Sequence, residues 1–310
     1  MILTTITIIT RNRPKVLKDC LDSLTKQVPN QGFKVVVVDN SLGDEETKQL
    51  VLSYRDSLSV SYFVESKVGI PFARNKAIKE SKTPIIAFLD DDCIVQKNWL
   101  YSVELYFKFS KNASILVGRT FPKEKTISSL VEYWYYCRFF ESNVIRNRDL
   151  VKLKSGLIID FKNAAFRREI FSEHLFSSDT PFGDVGDEDI EIGMRLFKES
   201  KLRNKSIFFN RHMVVYHKYS ESLYRLFYRN FWNGYSNFII EREKGFHLKN
   251  AIHIFSNSFR SNIETYFVSR LQKVLVYFFI VVYPFFSRIG RLYSLFTLYF
   301  SRDILIPQRK

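Results

Sequence analysis

The feature that most constrains this chain lies in its first 95 residues, where short apolar runs alternate with segments of helical periodicity. Ile2–Thr10 predicts a strand. Asn12 is placed to cap the helix that follows and Pro14 suits its first turn. Val16, Leu17, Cys20, Leu21 and Leu24 mark one face of that helix. Lys34–Val38 is a continuous apolar run, as expected of a strand buried on both faces. Glu45–Tyr54 predicts a helix, Val60–Val64 a strand, Pro71–Ser81 a second proline-started helix and Ile85–Leu89 another buried strand. Such alternation implies an α/β fold with a mostly parallel central sheet and crossover helices. Ligands of these sheets bind beyond the carboxyl ends of the strands. The residues at that edge are Thr10-Arg11-Asn12, Asp39-Asn40-Ser41 and Asp90-Asp91-Asp92.

Composition narrows the class. With 25% charged residues and 46% hydrophobic ones among 310, the chain is neither a disordered polyelectrolyte nor a multi-span membrane protein. Cys20, Cys93 and Cys137 are too few and too scattered for a disulfide framework or a zinc site. The start has no basic region before its apolar run, so it predicts a strand rather than a signal peptide, and this half of the chain is expected in the cytoplasm. The net charge of +15, with interleaved aromatics, raises the rival of nucleic-acid binding. That rival needs a basic face, whereas acidic clusters occupy the expected ligand edge, so no nucleic-acid partner is expected.

Residues 221–310 differ from the rest, with 13 Lys/Arg against 5 Asp/Glu and dense Phe and Tyr. Val274–Ser287 and Leu292–Ser301 are uncharged runs of fourteen and ten residues, and Pro284 breaks the first. Each falls short of the roughly 20 residues a spanning helix requires. Two readings stay open. One is docking on an anionic membrane surface, and the other is a helical subdomain packed on the catalytic core. The aromatic stretch Ile127–Phe140 reads first as a buried helix face and second as a platform that stacks on the rings of a ligand.

Two acidic clusters carry chemistry. Asp90-Asp91-Asp92 directly follows a buried strand, and three adjacent carboxylates need compensation. A divalent cation with a diphosphate supplies it, since hard ions take one or two carboxylates plus phosphate oxygens. Alternation along an extended segment turns Asp90 and Asp92 one way and Asp91 the other. The plain alternative is a solvated acidic turn. The second cluster, Asp187-Glu188-Asp189, opens a helix, where the dipole alone favours carboxylates. Its functional reading is a general base for an acceptor hydroxyl.

Together the clusters resemble those of glycosyltransferase family 2, over about residues 1–220. Ile6-Thr-Ile-Ile-Thr-Arg-Asn-Arg13 is similar to the family's first strand and Val35-Val-Val-Val-Asp-Asn-Ser41 to its second. Gly69-Ile-Pro-Phe-Ala-Arg-Asn-Lys-Ala77 is similar to its G-x-x-x-A-R-N segment, Asp90-Asp91-Asp92 to its DxD motif, and Asn163-Ala-Ala-Phe-Arg-Arg168 to a segment before the base. Glu188-Asp189 is similar to its ED base motif. The resemblance implies the GT-A fold, with a nucleotide-binding half at about 1–115, an acceptor-binding half at about 116–220, and a helical aromatic and basic extension at 221–310.

By the same resemblance, Thr10, Arg11 and Asp39 hold the nucleoside, Arg74 the base or phosphates, and Asp90 the nucleoside. Asp91 stays ambiguous. Asp92 is the ligand of Mn²⁺ or Mg²⁺, and His217, 28 residues after Asp189, is a candidate second ligand. Asp189 is the base and Glu188 its runner-up. The implied reaction is inverting, non-processive transfer of one sugar from a nucleoside diphosphate sugar, with a UDP-sugar expected first, to a glycan or lipid-linked acceptor. Surface-glycan assembly at the inner face of the cytoplasmic membrane would follow. Two departures are visible: Cys93 stands after the DxD-like residues, and no Q-x-x-R-W motif of processive synthases is present. Two further alternatives remain, a non-catalytic scaffold relative and a sugar nucleotidyltransferase. The second normally carries a glycine-rich loop where this chain has Thr10-Arg-Asn-Arg-Pro14.

Overall fold

The structure is a computed structural model that describes residues 4–28, 32–140, 150–153, 159–173, 175–177, 188–202, 205–219, 222–244 and 269–300. Asp187, His174, His247 and His253 lie outside the described residues. Two compact units are present. The first comprises Met1–Phe121, Asn147–Asp179 and Glu188–His217, and the second Pro122–Arg146, Thr180–Asp187 and Lys218–Lys310.

The first unit is built on a sheet containing β1 (Thr4–Thr10), β2 (Phe33–Asp39), β3 (Val60–Val64), β4 (Ile85–Asp90), β5 (Cys93–Val95), β6 (Ala113–Pro122), β7 (Leu150–Lys152), β8 (Asn163–Arg167) and β9 (Ser206–His217). The strand order is β3-β2-β1-β4-β8-β6-β9-β5, with β7 also on β9. The β3–β2, β2–β1 and β1–β4 ladders are parallel. Beyond β4 the described ladders β4–β8, β8–β6, β5–β9 and β7–β9 are antiparallel. The sheet is therefore mixed, with the expected parallel ladders in the first half of the chain and antiparallel ones added by the second.

β1 is central, and alternating Thr and Ile would ordinarily mark a half-solvated strand. Here both faces are buried and the threonines are satisfied internally. Thr5 Oγ1 lies 2.7 Å from Thr83 Oγ1, and Thr7 Oγ1 donates to the Ala87 carbonyl at 3.2 Å. The helix α1 (Pro14–Leu24) buries Leu17, Cys20, Leu21 and Leu24 against this sheet, the face its periodicity marks. Asn12 is not its cap. Arg13 occupies that position, and Asn12 takes a left-handed φ of 53° in the loop before it.

Helices α2 (Glu45–Ser53), α3 (Ile70–Glu80), α4 (Trp99–Phe109) and α6 (Glu188–Leu202) complete the unit. α3 starts from Gly69, whose φ of 136° excludes most side chains. The Gly69 amide donates to Asn40 Oδ1 at 2.8 Å, and Asn40 Nδ2 donates to the Glu65 and Lys67 carbonyls. This anchoring fixes the first turn of α3, which carries Arg74. Asn163, fully buried at the head of β8, ties three elements: Trp99 Nε1 donates to it at 2.8 Å, and its amide donates to the Arg119 and Met213 carbonyls. A Cβ on Gly118 would collide with that same Met213 carbonyl and the Asn163 side chain, so only glycine fits.

The second unit contains α5 (Ile127–Phe140), α7 (Leu223–Lys244) and α8 (Arg270–Phe300). Leu130 and Val131 of α5 bury against Leu226, Val276, Ile280 and Tyr283, so part of the aromatic stretch is a core face. α8 is one 31-residue helix, not two short runs. A proline inside a helix removes the bond to the carbonyl four residues back. That carbonyl, Ile280, instead accepts from the Tyr135 hydroxyl at 2.6 Å, and the helix continues through Pro284. Small residues let α7 and α8 approach closely: a Cβ on Gly234 would strike the Ser287 carbonyl, and one on Gly290 the Phe231 carbonyl. The stretch Arg270–Leu295 is long and apolar enough to cross a membrane by length and composition.

Candidate active site

Sheet register assembles the site. Thr10 pairs with Asp39 across β1–β2 and Ile9 with Asp90 across β1–β4, which brings three of the expected segments out at one edge. Across β5–β9, Cys93 pairs with His217, so a residue 124 positions later stands beside the acidic turn.

The three consecutive aspartates have different surroundings. Asp91 is fully buried and accepts from Thr10 Oγ1 at 2.7 Å. It also accepts from Arg13 Nε at 3.1 Å and from a second, close guanidinium nitrogen of the same arginine. Asp91 thus locks the β1–α1 loop to the acidic turn. Asp90 and Asp92 keep accessible side chains, 40% and 15% exposed, on the other side of the segment. Asp92 Oδ1 lies 3.2 Å from His217 Nε2. Burial disfavours charge on both groups, but each outweighs it for the other. Asp92 is lowered to about 2, and His217 is raised above its ordinary value.

Asp92, Cys93 and His217 offer ligand atoms within 4.8 Å of one another. The buried thiol is pushed up by its surroundings, so it stays protonated and is a poor partner for a hard ion. One carboxylate and one imidazole remain. That donor set fits Mn²⁺ completed by diphosphate oxygens, and Mg²⁺ less well because of the imidazole.

Arg74 joins this region to the second cluster. Its guanidinium contacts Glu188 Oε1 at 3.2 Å, makes a closer contact to Asp189 Oδ1, and lies 3.9 Å from Asp90 Oδ1. The rings of Phe161 and Phe176 lie 5.3 and 5.1 Å from it, holding a planar cation in a buried place. Glu188 is 2% exposed, and the Asp189 side chain 24%. Burial raises the Asp189 carboxyl to about 8; Arg74 pulls against this and the like charge of Glu188 adds to it.

Asp39 is placed at the edge but heavily engaged. It accepts from the Ser41 amide at 2.9 Å, the Ser41 hydroxyl, the Asp44 amide at 2.9 Å and the Tyr62 hydroxyl at 2.6 Å. A carboxylate has about four lone-pair positions, so Asp39 orders the β2–α2 loop in this conformation. Arg11 lies half-buried in the β1–α1 loop. The structure adds residues that the motifs did not single out. Arg13 stands inside the quoted first-strand segment, where position alone signalled it. Asp160 and Lys162, paired at 2.7 Å, stand just before the quoted Asn163-Ala-Ala-Phe segment. A cavity of about 430 Å³ opens elsewhere, at the amino-terminal edge of β4, lined by Thr83, Pro84 and Arg168 among others and by none of the residues above.

Known proteins share this architecture. A mannosyltransferase from Pyrobaculum calidifontis, solved with GDP-Man and Mn²⁺, superposes over 94% of this chain and 87% of its own with a TM-score of 0.60 at 14% identity. In sequence, the chain is 22% identical to a glucosyl-dolichyl phosphate glucuronosyltransferase of Haloferax volcanii, over 74% of each protein. It is 25% identical to the chondroitin synthase of Pasteurella multocida over 61% of this chain, but spans only 22% of that enzyme's length. The profile of Glycosyl transferase family 2 matches residues 5–175, more than half of the molecule. On that match, and with a GT-A-like sheet carrying the acidic turn at its carboxyl edge, the chain belongs to glycosyl transferase family 2.

Proposed function

We propose that this protein is an inverting glycosyltransferase that moves one sugar from a nucleoside diphosphate sugar to an acceptor hydroxyl. The observation that carries the reading is Arg74, whose single guanidinium reaches Asp90 of the acidic turn and both Glu188 and Asp189. Two clusters nearly 100 residues apart in sequence thereby share one site.

Asp92 and His217 would hold Mn²⁺ or Mg²⁺, with Mn²⁺ favoured by the imidazole. When bound, such an ion neutralises charge developing on the departing diphosphate. Asp90, partly exposed beside them, is free to accept from hydroxyls of the donor, while Asp91, Thr10 and Arg13 keep the turn in shape. Asp189 is the better-exposed carboxylate of its pair and serves as the base. It takes the acceptor's proton as the oxygen attacks the anomeric carbon from the side opposite the diphosphate, and a single displacement inverts the configuration. Glu188 and Arg74 position it, and the Arg74 contact must loosen as the acceptor arrives.

A UDP-sugar is the first donor to test, and a glycan or lipid-linked oligosaccharide the first acceptor. The exposed apolar residues of α8 and its basic side chains support work at the cytoplasmic face of a membrane. A thermal-shift screen of nucleoside diphosphates and their sugars with Mn²⁺ tests the reading. A ligand present at 100 times its dissociation constant stabilises by about 2.7 kcal/mol. A Mn²⁺-dependent shift with one base is expected. No shift with any of them contradicts the proposal.

A further inference from the structure

Lys162 stands where no role has been assigned to it. The antiparallel β4–β8 ladder ends on the pair Leu89 and Asn163, and one step further along it lie Asp90 and Lys162. The lysine side chain is largely buried, 17% exposed, and its ammonium contacts Asp160 Oδ1 at 2.7 Å. Thr120 Oγ1 donates to the other oxygen of Asp160 at 3.3 Å. Lys162 acts electrostatically on Asp90, Asp92 and His217, and Asp160 on Asp189. The pair therefore stands one ladder step from the acidic turn and within electrostatic reach of both it and the base.

Stability does not account for it. A buried ion pair is commonly worth no more than apolar side chains of the same size. Among the described residues, Arg13 and Arg74 are planar guanidinium groups committed to carboxylates, Arg13 to Asp91 and Arg74 to Glu188 and Asp189. A lysine differs, since its three donors sit on a flexible four-carbon stem that can change partner. We propose that Lys162 is parked on Asp160 in the ligand-free protein and moves to the diphosphate of the donor, giving the leaving group a cation from β8. The inference rests on the nucleotide-sugar reading above and adds one diphosphate-contacting residue to it.

Isothermal titration with Mn²⁺–pyrophosphate, which presents a diphosphate without base or sugar, tests it on the full chain. Losing a charge-assisted hydrogen bond to phosphate should weaken binding of Lys162→Met by about tenfold or more. Asp160→Asn weakens the hold of this competing carboxylate, so its binding should be equal to or tighter than wild type. Weakened binding in Lys162→Met together with undiminished binding in Asp160→Asn supports the proposal. A parallel loss in both marks a structural ion pair and overturns it, as does unchanged binding in Lys162→Met. If Lys162→Met does not fold, Asp160→Asn decides alone: undiminished binding supports the proposal and weakened binding overturns it. Wild-type protein that binds neither Mn²⁺–pyrophosphate nor Mn²⁺–UDP contradicts the underlying reading instead.

Discussion

At the scale of residues, neighbouring carboxylates acquire different work from their partners. Asp91 is held by Thr10 and Arg13, whereas Asp92 faces His217. Arg13→Ala leaves a buried carboxylate with part of its partners gone and should cost about 1–3 kcal/mol of stability, readable by urea denaturation. The Asp92–His217 pair makes a prediction about metal. Its His217 pKa is raised, so the imidazole holds a proton at pH 6 that a metal must displace. Mn²⁺ affinity should climb with pH between 6 and 8, by up to about tenfold per pH unit while that proton is being released. His217→Gln should flatten the climb, and calorimetry in buffers of different ionisation enthalpy counts the proton. For Asp189 the sign also runs towards high pH. A carboxyl raised by burial is protonated, and inert as a base, below its pKa, so kcat should rise through the neutral range. Glu188→Gln removes a like charge, lowers that pKa and should move the rise to lower pH; an unmoved profile would exclude Asp189 as the titrating group.

At the scale of elements, the strands and helices up to β4 were legible because short β-rich runs alternate there with helical periodicity between polar turns, with β2 and β4 continuous apolar runs. Phe33–Asp39 and Ile85–Asp90 differ from the expected strands by only a residue at either end. The antiparallel half was not legible. β8 reads as Asn-Ala-Ala-Phe-Arg, and what makes it a central strand is Asn163 tying Trp99, Arg119 and Met213, contacts that no local pattern encodes. Of the site, the acidic turn and the helix-opening carboxylates were visible as charge clusters. The Arg13 lock and the Lys162–Asp160 pair were not, because each depends on a partner's position in space or on burial. At sequence level α8 was divided into two uncharged runs by Arg288 and Arg291, and Pro284 should break the first of them. Tyr135 supplies the missing donor from α5. Tyr135→Phe should therefore destabilise by about 1–3 kcal/mol, the cost of an unsatisfied buried carbonyl, measured by thermal unfolding.

At the scale of the whole molecule, a unit whose sheet edge carries the acidic turn is joined in one chain to a helical unit whose α8 has an exposed apolar face. Leu271, Val274, Phe278, Val281, Phe285 and Leu292 of α8 are each more than half exposed, along a helix with no acidic residue in its sequence. Arg270, Lys273, Arg288 and Arg291 accompany them. If this face docks on anionic lipid, Phe278→Asp with Val281→Asp should abolish co-sedimentation with phosphatidylglycerol vesicles. Both residues are exposed, so the circular dichroism spectrum should not change. Equal recovery of wild type and variant would reject the face as the anchor. In the other unit, Asp189 is proposed as the base of a site whose donor half stands without it. The direct measurement is kcat and donor Kd for Asp189→Asn, with the nucleotide sugar identified by the screen. The account predicts that kcat falls by about 10²–10⁴, the usual worth of a positioned general base, while donor Kd stays near the wild-type value. Retained turnover, or donor binding lost in step with activity, would contradict it.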